Sequence, residues 1–284
     1  MKTHEHVLCR GLSRRGFLRS SAVAAGLGAV AAAGHRRAHA AEDGYVPLFN
    51  GKDLAGWHTN PGKISHGAGG RWQVADGVLT GEQDPPGSGN GGLLLTDQPF
   101  GDFELVLDMK PDWGPDSGVF FRCTDAGAGF QMYVDYHDRG NVGHLRGEMP
   151  GAFAMKPFQI YGASGAGGGL AGFTSQPDPR ALKWPEGVYA QSCTFEEWRQ
   201  AWRIDDWNTA RIRCVGKYPV ITVWLNGLQV CRWDGEACAL PAYDKEKVFG
   251  HLGRRGAIGL QVHGGNGWPE GKKCRWRNIR IKEL

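Results

Sequence analysis

The chain has 284 residues, of which 41% are hydrophobic and 22% are charged, and its formal net charge is +4. Seven basic residues and one acidic residue lie in the first forty positions, so the remainder carries a formal charge near −2. This balance predicts neither a nucleic-acid-binding surface nor a surface for anionic membranes.

Residues 1–40 have the pattern of an export signal. Positions 13–18 spell SRRGFL, a twin-arginine pattern, and a run of small apolar residues leads to a small-x-small cleavage site, AHA, at 38–40. A membrane anchor is the alternative, but the run is too short and too weakly apolar to span about 30 Å of hydrocarbon. We therefore expect twin-arginine export, a periplasmic or secreted location, and no membrane contact after the signal is cleaved.

Residues 44–284 are expected to form a single β-rich domain. Forty-five glycines and eleven tryptophans in the chain favour short strands joined by tight turns. Apolar and polar residues alternate at 102–110, 117–122, 129–137, 207–216, 220–233, 256–265 and 274–284. Asn226-Gly227 is a strong signal for a β-hairpin. The pattern predicts an all-β, two-sheet antiparallel sandwich of the jelly-roll type.

Two segments depart from this alternation. TFEEWRQAW (194–202) predicts a short helix in which Thr194 is the N-cap and Glu197 completes a capping box. Residues 162–193 are rich in Gly and Pro and predict a long loop that borders a site. The glycine run at 165–172 follows no predicted strand and opens no helix, so a phosphate-binding loop is not expected there.

Six cysteines remain after the leader: Cys123, Cys193, Cys214, Cys231, Cys238 and Cys274. An even number in an exported chain permits disulfides, whereas the lack of C-x-x-C spacing argues against a structural zinc site. Cys214 and Cys231 are expected on neighbouring strands. Disulfide bridges and free buried thiols both stay open at this point.

Eight short motifs follow one another along nearly the whole domain. They are LFNGKDLAGW (48–57), WQVADGVL (72–79), DFEL (102–105), SGVFFR (117–122), DWN (206–208), LNG (225–227), GAIGLQVHG (256–264) and RNIRIKEL (277–284). In this order the set resembles the 3-keto-disaccharide hydrolase domain family, which is similar to concanavalin-like and laminarinase-like jelly rolls. Phe49 and Trp57 of the first motif are expected to anchor the core, with Asn50-Gly51 as the turn between them.

The polar sides of several strands predict one sugar-binding surface, because alternate residues of a sandwich strand face away from the core. Its expected members are Glu104, Arg122, Gln131, Tyr133, Asp135, Gln261 and His263. The segment 139–148 is predicted as a loop that brings His144 and Arg146 near the end of this sheet. An ordinary solvent-facing side of an antiparallel sheet is the alternative interpretation.

The resemblance implies cleavage of a glycoside that already carries a ketone at sugar carbon 3. The ketone makes the hydrogen on carbon 2 acidic, so a base can remove it, the glycosidic oxygen leaves by β-elimination, and water then adds. His263 or His144 suits the base. The ketone could be polarised by Arg122, or by a divalent metal ion held by Asp135 and a histidine.

A small carbohydrate is the expected partner, bound by Glu104, Gln131, Tyr133 and Gln261. Two other classes of function stay open. The domain could be a noncatalytic carbohydrate-binding sandwich, or a conventional glucan glycoside hydrolase that works with two carboxylates.

Overall fold

The computed structural model describes residues 44–148, 153–181, 185, 188, 191–240 and 243–284. The predicted leader, residues 1–40, lies outside the described residues. Residues Gly44–Leu284 cluster as one compact unit. Neither described helix has the length and apolar character needed to cross a bilayer.

Seventeen strands and two α-helices form in the described part of the chain. The first strands are β1 (Val46–Pro47), β2 (Trp57–Thr59), β3 (Arg71–Ala75), β4 (Val78–Glu82), β5 (Gly92–Thr96), β6 (Phe103–Pro111), β7 (Gly118–Cys123), β8 (Gly129–Asp135) and β9 (Asn141–Glu148). The later elements are β10 (Phe153–Met155), β11 (Phe158–Ser164), β12 (Leu170–Pro177), α1 (Phe195–Ala201), β13 (Asn208–Val215), β14 (Val220–Leu225), β15 (Leu228–Asp234), α2 (Lys245–Leu252), β16 (Ala257–Val262) and β17 (Cys274–Glu283).

The strands build two large sheets and one hairpin. The back sheet has the order β15-β14-β13-β6-β17-β4-β3, with β1 paired to β17. The site sheet has the order β10-β9-β8-β7-β16-β5-β2. Every pair of neighbouring strands in these sheets is antiparallel. The prediction of an antiparallel jelly-roll sandwich is confirmed.

The main core lies between the two sheets. Alternation on β6 turns Leu105, Leu107 and Met109 inward, and alternation on β8 does the same for Phe130 and Met132. Contacts between rings cross the interface, such as that of Phe103 with Phe121 at 6.2 Å between centroids. The expected anchors Phe49 and Trp57 are both buried in this core.

Several local predictions from sequence are confirmed. Asn226 and Gly227 join β14 to β15 and adopt φ values of 49° and 92°, as a tight hairpin turn requires. Helix α1 begins at the predicted N-cap Thr194, and both hydrogen bonds of its capping box with Glu197 are present. Trp198 of this helix is buried and donates its indole hydrogen to the Val142 carbonyl at 3.0 Å, which fixes α1 on the site sheet.

Other local predictions are wrong. Residues 162–193 are not one long loop, because β11 and β12 form a hairpin within and beside them. The segment 139–148 is a strand, β9, since its backbone pairs with β8 on one side and β10 on the other. Helix α2 was not predicted, because its eight residues bury only Val248 and Leu252 and so carry little periodic signal.

The six cysteines of the domain are free thiols. Cys214 lies on β13 and Cys231 on β15, so the expectation that their strands are neighbours is wrong: β14 separates them. Five of the six side chains are buried, and Cys238 is half-buried. They act as small apolar groups in the core.

Candidate active site

A cavity of about 350 Å³ opens on the face of the site sheet that points away from the main core. Strand β8 contributes alternate residues to it because their neighbours Phe130, Met132 and Val134 point into the core. The lining comprises Gln131, Tyr133 and Asp135 from β8, Gln261 and His263 from β16 and its end, Arg146 and Glu148 from β9, and Ser65, His66 and Asp116 from loops. All these side chains can form hydrogen bonds with hydroxyl groups.

At one side of the cavity, Asp116, Asp135 and His137 place one ligand atom each within 4.8 Å of one another. Asp135 is buried, and burial together with the charge of Asp116 raises its pKa well above the usual range. Burial would also raise the pKa of Asp116, but its contacts with His137, His263 and Asp135 outweigh that effect and lower it. The pair therefore divides into one carboxyl that retains its proton and one that is ionised.

The His137 ring is oriented as a metal-binding histidine requires. Its Nδ1 lies 2.8 Å from the carbonyl oxygen of Asp138, which can only accept, so Nδ1 carries the hydrogen. Its Nε2 is buried, has no hydrogen-bond partner among the residues described, and lies 3.7 Å from Asp116 Oδ2. Two carboxylates and an imidazole nitrogen suit a divalent cation such as Mn²⁺ or Zn²⁺, so these three residues fit a metal ion.

His263 is held next to this cluster in the same tautomer. Its Nδ1 donates to the Gly264 carbonyl at 2.7 Å, which leaves Nε2 as the basic nitrogen. A side chain at Gly267 would meet both the His263 ring and the Asp116 Cβ, at 3.2 and 3.4 Å, so the two residues lie side by side. His263 is therefore an imidazole whose basic nitrogen is Nε2, next to the ionised Asp116.

A chain of hydrogen bonds crosses the floor of the cavity. Gln131 Nε2 donates to Gln261 Oε1 at 2.9 Å, and Gln261 Nε2 lies 3.1 Å from His66 Nε2. Burial, and next the charge of His263, lower the pKa of His66 to about 4. His66 is therefore a neutral imidazole at neutral pH.

A second group of polar side chains forms a rim of the cavity on β8 and β9. Arg146 pairs with Glu148, and the Arg146 charge also acts on the buried Tyr133. Burial, followed by the charge of Asp135, raises the pKa of Tyr133, so its phenol stays protonated. This rim offers a guanidinium and a hydroxyl group to a polar ligand.

The structure brings together six of the residues that the sequence placed on or near this surface. They are Gln131, Tyr133, Asp135, Arg146, Gln261 and His263. Arg122, Glu104 and His144 do not line this cavity.

Arg122 was expected on the cavity face, and this placement is wrong. A β-bulge in β7 shifts the register between Phe120 and Cys123, and Arg122 at the bulge has a φ of 46°. Its side chain is 1% exposed, lies 3.0 Å from Asp102 Oδ1 and donates to the Gly216 carbonyl at 2.8 Å. Arg122 therefore ties loops together at another place in the fold.

Glu104 was also expected on the cavity face, and it lies on the other side of the molecule. Its strand, β6, belongs to the back sheet, so its polar side faces away from the site sheet. There Glu104 accepts from the Tyr45 hydroxyl and lies 3.5 Å from Arg211.

His144 was expected in a loop at the rim, but it is a fully buried residue of β9. Its Nδ1 donates to Asn141 Oδ1 at 3.0 Å, and its ring packs edge-on against Phe158 at 5.3 Å. Burial lowers its pKa to about 3. The ring is part of the protein interior and does not reach the cavity.

Sequence reasoning missed Asp116, His66, Glu148 and His137, the last of which continues the alternation of β8 two residues beyond Asp135. Asp116 and His66 lie in irregular segments, where no alternation assigns a face. Glu148 could have been found: as a strand, 139–148 places Arg146 and Glu148 on the same face, whereas a loop gives no such rule.

The sequence model of one protein family, the 3-keto-alpha-glucoside-1,2-lyase-like domain, matches residues 44–282. The chain therefore belongs to this family. A curated relative from Bacteroides thetaiotaomicron, named 3-keto-disaccharide hydrolase, is 28% identical over 264 residues, which cover 85% of this chain and 79% of the relative. A solved structure of a candidate glycosyl hydrolase from Parabacteroides distasonis aligns with a TM-score of 0.51 at 19% identity, over 87% of this chain and 96% of the other, and shows a shared fold.

Proposed function

We propose that this chain cleaves 3-keto glycosides by β-elimination followed by addition of water. Membership of the family supports the substrate class, and the cavity supplies side chains suited to each step. The observation that carries the proposal is the position of His263 next to Asp116 of the Asp116, Asp135 and His137 cluster, with Nδ1 bonded to the Gly264 carbonyl and Nε2 therefore the basic nitrogen.

One acid–base residue can carry out both proton transfers of the elimination. His263 Nε2 takes the hydrogen from carbon 2, the electrons of that bond form the double bond between carbons 1 and 2, and the glycosidic oxygen leaves with its bonding pair. The proton on His263 passes to the leaving oxygen. Water then adds across the double bond, its hydroxyl to carbon 1 and its proton to carbon 2, and a free 3-keto sugar results.

Asp116, Asp135 and His137 would hold a divalent cation near the ketone oxygen. Such a cation withdraws electron density from a carbonyl when it is bound. Gln131, Gln261 and Tyr133 would bind the sugar hydroxyls, since planar amides and a phenol match their geometry. Arg146 offers a further donor at the rim.

The two aspartates do not resemble the carboxylate pair of conventional glycosidases. Such pairs flank the scissile bond at about 5–5.5 Å for retention and about 6.5–9.5 Å for inversion. Asp116 and Asp135 instead form one cluster with His137, in which one atom of each lies within 4.8 Å of the others, and Asp116 raises the pKa of Asp135. This arrangement suits cation binding better than attack from two sides of a sugar.

The test is incubation with a 3-keto-disaccharide beside the same disaccharide without the ketone, each with and without a chelator. We expect cleavage of the keto compound only, with loss of activity in the chelator. Equal cleavage of both sugars would favour a conventional hydrolase. Binding without cleavage of either would favour a carbohydrate-binding module.

We also propose that the protein is exported by the twin-arginine route to the periplasm or beyond. Arg14 and Arg15 with the small-residue run that follows them support this. Replacing both arginines with lysine should leave an unprocessed precursor in the cytoplasm. Normal processing of that variant would contradict the proposal.

A further inference from the structure

His66 stands at the tip of a tight turn that covers part of the site sheet. Ile64 and Gly67 close the turn with two backbone hydrogen bonds of 3.0 Å. The buried Asn60 holds it to the sheet, because its Nδ2 donates to the Gly67 carbonyl at 3.1 Å and its Oδ1 accepts from the Leu93 amide at 2.8 Å. The turn is thus part of the fixed framework of the site.

The backbone of His66 is held as firmly as the turn. Its carbonyl accepts from the Gly91 amide at 2.9 Å. The same oxygen would lie 2.2 Å from a Cβ at Gly264, so only glycine fits there without a shift. The backbone of His66 therefore has a defined position at the cavity.

Gln261 lies against both nitrogens of the His66 ring, with its Nε2 at 3.1 Å from His66 Nε2 and at 3.4 Å from His66 Nδ1. Because Gln131 donates to the Gln261 oxygen, the Gln261 amide hydrogens point towards this ring, and the shorter contact favours Nε2 as the accepting nitrogen. A neutral imidazole that accepts at one nitrogen carries its hydrogen on the other. The ring also lies 4.8 Å from the His263 ring and 6.3 Å from Phe120.

We infer that His66 donates a hydrogen bond to the glycosidic oxygen as it leaves carbon 1, and so binds the leaving-group side of the substrate. The inference rests on the proposed function. His263 has the Asp116 cluster as one neighbour and His66 as another. Carbons 3, 2 and 1 of the sugar then face the carboxyl cluster, His263 and His66 in turn.

The charge state of His66 suits this task. With a pKa of about 4, set mainly by burial, the His66 ring is neutral at neutral pH. A fixed neutral donor stabilises a developing oxyanion without placing a second positive charge beside His263. His66 contacts the leaving oxygen, and His263 supplies the proton.

The experiment compares leaving groups. Wild type, His66→Phe and His66→Gln are assayed on the 4-nitrophenyl and methyl 3-keto-glucosides of the anomer that wild type cleaves. His66→Phe keeps a ring of similar size and removes the donor, so cleavage of the methyl glycoside should fall about 10²-fold, as for loss of one oxyanion donor. The 4-nitrophenyl substrate should lose less than tenfold, because 4-nitrophenolate needs little help to leave.

His66→Gln should recover part of the activity on the methyl glycoside, because its amide again offers a donor. Ile64→Ala is the matched control: it disturbs the same turn without removing a polar group, and should lower both rates by the same factor. Equal losses on both substrates in His66→Phe would overturn the inference and leave His66 a structural role. Failure of wild type to cleave either keto glycoside would overturn the proposed function itself.

Discussion

The side chains of Asp116 and Asp135 face each other inside one cavity, and their pKa values move in opposite directions. Burial raises the pKa of Asp135, and the neighbouring Asp116 charge raises it further. Asp116 stays ionised through its contacts with His137 and His263. A divalent cation would compete with the proton on this pair, because metal ligands must be deprotonated to bind.

Divalent cations should stabilise the folded protein through this pair. At about 100 times its dissociation constant, a cation that binds only the folded state adds ~2.7 kcal/mol, enough to raise the melting temperature by roughly 5–10 °C. Thermal unfolding with and without MnCl₂ measures this shift, which Asp116→Asn should abolish. Glu104→Gln on the back sheet is the control and should respond like wild type. A shift that survives Asp116→Asn would place the cation elsewhere.

Removal of the proposed base should cost activity and leave the fold intact. His263→Gln should lower kcat on a 3-keto-disaccharide by about 10²–10⁴, the usual contribution of a general base. Its melting temperature should change little, since the ring is only half-buried. His58→Gln, a partly exposed histidine paired with Asp97, is the control and should retain full activity. A His263→Gln enzyme within threefold of wild type would remove His263 from the mechanism.

Arg122 should matter for stability instead of chemistry. Arg122→Met leaves Asp102 without its buried partner, and loss of one member of such a pair costs about 3–5 kcal/mol. Arg254→Met removes the exposed partner of the same carboxylate and should cost below ~1 kcal/mol. Denaturant unfolding compares the two variants. A large fall in kcat for folded Arg122→Met, with little loss of stability, would contradict this prediction and indicate that Arg122 takes part in catalysis.

His144 should make stability depend on pH. Its pKa is lowered by burial from 6.5 to about 3, so below pH 6.5 the unfolded chain binds a proton that the folded protein excludes. The contribution of this neutral ring to the free energy of unfolding is fully present above pH 6.5. It is lost as the pH falls, by at most ~1.4 kcal/mol per pH unit. Urea unfolding at pH 7 and pH 5 should show a smaller loss for His144→Gln than for wild type. Equal losses of stability in the two proteins would show that the His144 ring becomes protonated within the folded protein.

The sequence predicts the sandwich because a strand with one buried face must alternate, and β6 and β8 do so clearly. It does not say which sheet a strand joins. Glu104 and Gln131 occupy equivalent polar positions on their strands, yet they lie on opposite sides of the molecule. Alternation defines a face of a strand, whereas strand order defines the face of the protein.

Arg122 shows a second limit. Side chains alternate between the two faces of β7 at Val119, Phe120 and Phe121. The alternation fails at the next residue, Arg122, because of a β-bulge for which the sequence gives no signal. His66 shows a third limit. A residue on an irregular turn belongs to no alternating pattern, so the sequence does not assign its side chain to a face. Its position depends on contacts with Asn60, Gly91 and Gly264, which are distant from it in the chain or have no side chain to signal the contact.

The most direct test of the elimination mechanism is the fate of the hydrogen on carbon 2. Wild type is incubated with a 3-keto-disaccharide in D₂O, and the product is followed by proton NMR from the first turnovers. The free 3-keto sugar, incubated with and without enzyme, corrects for exchange after release. Elimination and addition of water predict that the product carries deuterium at carbon 2 as it forms. A product that retains its original hydrogen there would contradict the mechanism.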